Sequence, residues 1–119
     1  MSIHVVTRST RYRVGAGPVS VRVVIGDAQA GGWVVAWDDQ HVLGKGSDPR
    51  DVPVGEGNNI AGRALQVTAT AVDVRPETDR LSSMLTISGG PDGDQHIVAT
   101  YDDGGDGDTA VFSTMIGFE

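Results

Sequence analysis

In residues 19–25, Val-Ser-Val-Arg-Val-Val-Ile, the side chains of Val19, Val21, Val23 and Ile25 fall on one side and Ser20, Arg22 and Val24 on the other. A repeat of two is that of a strand with one buried face, whereas a helix repeats at about 3.6. The alternation returns along the chain. Leu65, Val67, Ala69 and Ala71 oppose Thr68 and Thr70, and Leu81, Ser83, Leu85 and Ile87 oppose Ser82, Met84, Thr86 and Ser88. Ile97, Ala99 and Tyr101 oppose His96, Val98 and Thr100, while Phe112, Thr114, Ile116 and Phe118 oppose Val111, Ser113, Met115 and Gly117. No segment keeps apolar residues at i, i+3 and i+4 over three turns, and 55–63 has room for one short helical turn. Strands are expected at 2–8, 11–14, 18–26, 32–38, 41–44, 64–74, 80–89, 95–101 and 109–118.

Between these segments lie turn formers. Arg75-Pro76-Glu77-Thr78-Asp79 reads as a turn with proline setting φ, and it predicts an antiparallel hairpin of 64–74 with 80–89. Asp102-Asp103-Gly104-Gly105-Asp106-Gly107-Asp108 supplies residues tolerant of positive φ, and it predicts a second hairpin of 95–101 with 109–118. The run from Gly44 to Gly62 reads as one long loop. Uneven connections of this kind favour an all-β, two-sheet antiparallel β-sandwich of about 7–9 strands, with a small closed β-barrel as the alternative. The 119 residues are expected to form a single domain spanning 1–119.

Composition adds limits. The chain has 17 glycines, no cysteine and a formal net charge of −7. Without cysteine there are no disulfides, no thiolate zinc ligands and no thiol nucleophile. The negative total argues against general nucleic-acid binding, because phosphate repulsion opposes it. No apolar run is long enough for a membrane-spanning helix. The first eight residues lack the regions of a signal peptide, which fits either a cytoplasmic protein or export by a route that reads no such signal; location is otherwise unknown.

Two groups of side chains point to chemistry. Asp103, Asp106 and Asp108 share one glycine-rich loop, and hard cations such as Ca²⁺ take several carboxylate oxygens from flexible loops. Asp38 and Asp51 border the next acidic stretch and complete the candidate Ca²⁺ set if their loops gather at the same end of the sandwich. The competing reading is a solvated turn in which Asp and Gly serve conformation alone. Trp33 and Trp37, four apart on one strand, share a face: exposed, they form a stacking platform; buried, a core pair. Val34 and Ala36 make the opposite face apolar too, which favours a strand covered on both sides and at least one Trp in the core. Lys45, Asn58 and Asn59 sit in the 44–62 segment, the expected place for a ligand or partner to touch.

No Gly-x-Ser-x-Gly, P-loop or metal-ligating histidine pair stands beside these. The leading expectation is therefore a non-catalytic binding module for a protein, glycan or small molecule, using its Asp/Gly-rich end loops with or without Ca²⁺. The alternative is a self-associating assembly subunit, a homo-oligomer, built on outward residues such as Val24, Val98, Val111 and Met115. A small hydrolase has only dispersed serines, acids and histidines behind it.

Overall fold

The computed structural model describes residues 3–26, 30–74, 80–102 and 108–119. Among these residues, nine strands and one helical turn follow in chain order: β1 (Ile3–Tyr12), β2 (Pro18–Ile25), β3 (Ala30–Trp37), β4 (Val42–Gly46), β5 (Asp51–Glu56), α1 (Gly57–Ile60), β6 (Ala64–Val72), β7 (Arg80–Ser88), β8 (Gln95–Asp102) and β9 (Thr109–Phe118). They form a five-stranded sheet, β1-β9-β6-β3-β4, and a four-stranded sheet, β5-β2-β7-β8. The two layers stay separate, so the protein is a sandwich and not a closed barrel. No helix among the described residues is long and apolar enough to cross a membrane.

The alternating residues meet as the pattern predicts. Val19, Val21, Val23, Leu65, Val67, Leu81, Leu85, Ile87, Phe112 and Ile116 are buried between the layers in one cluster. Burial of a large aliphatic or aromatic side chain contributes about 1.5–3 kcal/mol, so these inner rows dominate stability. Trp33 and Trp37 belong to that core at 2% and 5% exposure, and the Phe118 ring lies edge-on to Trp37 at 6.1 Å.

Three expectations about connectivity fail. The segments 64–74 and 80–89 do not form a hairpin, because β6 lies in the five-stranded sheet and β7 in the other. For the same reason 95–101 and 109–118 do not pair: β8 is beside β7, and β9 lies between β1 and β6. Turn-forming residues in a sequence do not decide whether the next strand joins the same layer. Third, 44–62 is not a single loop. Asp51-Val52-Pro53-Val54 alternates outward and inward, and β5 runs antiparallel to β2 with Val21 opposite Val52. Pro53 is tolerated because β5 is an edge strand.

The expected pieces 2–8 and 11–14 are largely one strand, β1, and it lies parallel to β9 with Ile3 opposite Thr109 and Tyr12 opposite Phe118. Tyr12 ties this edge to the second layer. Its hydroxyl donates to the Gly93 carbonyl at 2.9 Å and accepts from the Gly90 amide at 2.7 Å, inside the β7–β8 turn. That turn leaves β7 through Gly89 at φ +109°, where a Cβ would also run into the Pro18 carbonyl.

Candidate interaction surface

The side chains singled out from the sequence are distributed over distant parts of the sandwich. Asp103 and Asp106 lie outside the described residues. Asp108 sits where β9 begins, with Oδ2 3.8 Å from Nε2 of His4, and its carbonyl accepts from the Asp73 amide at 2.9 Å. Asp38 follows Trp37, which pairs with Leu65, whereas the Asp108 end of β6 is at Val72, opposite Thr109. Seven residues of strand, about 23 Å at ~3.3 Å each, therefore separate Asp38 from Asp108. Asp51 opens the edge strand β5 opposite Arg22 and pairs with its guanidinium at 3.7 Å. The structure does not bring Asp38 or Asp51 to Asp108. Among the described residues, no three His, Asp or Glu side chains are grouped to hold an ion.

The tryptophans offer no exposed platform. The Arg63 guanidinium covers Trp37 at 3.9 Å from the ring centre, and Arg50 lies 5.4 Å from that of Trp33. The Trp33 indole Nε1 donates to the Asp48 carbonyl at 3.1 Å, which holds the 45–50 segment against the core. Asn58 and Asn59 are exposed on α1, beside the end where β9 finishes. Lys45 is elsewhere, on the outer face of the five-stranded sheet.

That outer face follows from register. Ile3, Val5, Thr7, Ser9 and Arg11 of β1 align with Thr109, Val111, Ser113, Met115 and Gly117 of β9. These continue into Val72, Thr70, Thr68, Gln66 and Ala64 of β6, then Ala30, Gly32, Val34 and Ala36 of β3. Val42 and Lys45 of β4 complete it. The charged side chains of this face are Arg11 and Lys45, both on edge strands. Its centre is Thr, Ser, Val, Ala, Gln and Met, and Ile3 (70%), Val5 (64%), Val42 (50%) and Met115 (38%) are exposed on it. A hollow of about 560 Å³ opens over Gly32, bordered by Val34, Lys45, Gly46, Thr68 and Thr70. A Cβ at Gly32 would sit 3.1 Å from the Gly46 carbonyl, so glycine at position 32 keeps the hollow open.

The outer face of the four-stranded sheet differs. Val24, Met84 and Val98 form one apolar row across it. That row is flanked by ion pairs, Arg22 with Asp51 at 3.7 Å and Arg80 with Asp102 at 3.4 Å. The outward residues Val24, Val98, Val111 and Met115 are thus divided between opposite sides of the molecule. Which strands are neighbours was not readable in the sequence.

The chain matches no family model, no curated protein and no solved structure.

Proposed function

We propose that the protein is a non-catalytic interaction module that assembles with a second copy of itself through the outer face of its five-stranded sheet. The observation that carries this reading is the placement of charge. In a chain of net charge −7, the only charged side chains among the described residues of this face are Arg11 and Lys45, on its two edge strands. Depletion of charge at the centre of a patch is one mark of protein interfaces. Five strands at ~4.8 Å spacing and about eight residues at ~3.3 Å span roughly 24 by 26 Å, or about 600 Å² in projection. Side-chain relief raises the accessible area towards the ~800 Å² per partner of a stable complex. A two-fold arrangement, the commonest for identical chains, sets this face against itself and keeps the acidic remainder outside. Ca²⁺ and the end loops are not needed in this account.

Sedimentation equilibrium tests it. The wild-type chain is expected to dimerise, and Val111→Lys or Met115→Lys to give monomers with an unchanged circular-dichroism spectrum. Val98→Lys, on the opposite sheet, leaves the dimer intact. A wild-type chain still monomeric near 1 mM, where association contributes only about 4.1 kcal/mol, refutes the proposal. So does a dimer broken by Val98→Lys and not by Val111→Lys.

A further inference from the structure

The two sheets present neighbouring open edges, because β1 pairs only with β9 and β8 only with β7. Side chains stitch these edges together near both ends. His4 stacks on Tyr101 with ring centres 4.3 Å apart, and Gln95 Nε2 donates to Thr10 Oγ1 at 2.8 Å. These two ties make the strands run antiparallel and set Arg8 level with Ile97. Between them the seam opens into a slot of about 440 Å³ lined by Arg8, Ser9, Thr10, His96, Ile97 and Val98. That volume is within the range of ligand pockets.

Arg8 is the unusual member. It occupies the inward row of β1, with His4, Val6, Thr10 and Tyr12, yet it remains exposed while Tyr12 is buried. Every other arginine among the described residues has a partner. Arg11 pairs with Glu119, Arg13 with Asp92, Arg22 with Asp51 and Arg80 with Asp102, while Arg50 and Arg63 lie over indole rings. Arg8 has none among those residues, and no acidic residue lines the slot.

We propose that this slot binds an extended acidic peptide segment, with one of its carboxylates taken by Arg8. Both walls are strand edges, and such edges recognise extended backbone by strand addition. The guanidinium fork matches a single carboxylate in bidentate fashion. An inward charge on an edge strand also repels the wrong partner: an apolar or basic strand would leave Arg8 desolvated and unpaired. Ser9 and Thr10 on the β1 wall and His96 on the β8 wall add hydrogen-bonding groups.

The test uses the full ¹⁵N-labelled chain titrated with a capped pentapeptide, acetyl-Thr-Val-Glu-Val-Thr-amide. Its counterparts with Gln or Lys in place of Glu, and sodium acetate, are titrated alongside. Amide shifts confined to residues 7–10 and 96–98 are expected with the Glu peptide. Affinity falls at least about tenfold for the Gln peptide and for the Arg8→Gln variant, and the Lys peptide gives no shifts. Arg8→Gln should melt with the wild-type protein, since the side chain holds nothing in place. Equal binding by the Gln peptide, undiminished binding by Arg8→Gln, or shifts spread over other strands overturns the proposal. The absence of any shift with the Glu peptide also overturns it. Acetate reproducing the same shifts at the same concentration overturns the peptide assignment in favour of a bare-anion site.

Discussion

The Tyr12 hydroxyl makes a quantitative claim about how the first strand is held. Tyr12→Phe keeps the ring, which is 4% exposed and edge-on to Phe118 at 6.4 Å, and deletes only the oxygen. Two hydrogen bonds go with it, to the Gly93 carbonyl and from the Gly90 amide. A hydrogen bond contributes about 0.5–1.5 kcal/mol net, and a buried group left unsatisfied costs about 1–3 kcal/mol. Gly93 is exposed, so water replaces its lost partner; Gly90 is half-buried beneath the ring and is less easily rescued. The expected loss is therefore about 2 kcal/mol, or roughly 8 °C in melting temperature for a domain of this size. Urea denaturation gives the energy. Hydrogen exchange at the Gly90 amide gives the site, and exchange there should accelerate more than at the centre of β6. A loss below about 0.5 kcal/mol, with Gly90 exchange unchanged, would refute the view that this hydroxyl fastens β1 to the β7–β8 turn.

Two further outcomes follow from packing. Ile116 is fully buried on β9 between Leu65 and the opposite layer, so Ile116→Ala should cost about 2–5 kcal/mol in urea denaturation; a change under 1 kcal/mol would place the core elsewhere. Gly89→Ala forces a side chain into the left-handed region and against the Pro18 carbonyl. It should destabilise by more than about 1 kcal/mol by thermal melting, and a neutral or stabilising result would contradict the positive φ assigned there.

Much of the architecture was legible from residue order. The inner rows at 19–23, 65–71, 81–87 and 112–118 are buried as their alternation predicts, and both tryptophans lie in the core. The interaction surface was only half legible. Val111 and Met115 stood out as outward apolar residues, but nothing local distinguished them from Val24 and Val98 on the far side. The slot was not legible, because Arg8 and Ile97 meet only when β1 and β8 become neighbouring edges. Strand β5 was missed because Pro53 and the flanking glycines resemble loop chemistry, although Val52 and Val54 already alternate.

Residue order by itself determined an all-β chain and the inward side of most strands, because side-chain direction alternates within a strand whatever its neighbours are. Tertiary structure alone decided the neighbours. It sent β6 and β7 into different layers, laid β1 parallel to β9, and separated Asp38 and Asp51 from Asp108. Strand pairing is a long-range choice. It is set by how two whole faces pack against each other, and a short connecting sequence carries no record of which sheet the next strand will join.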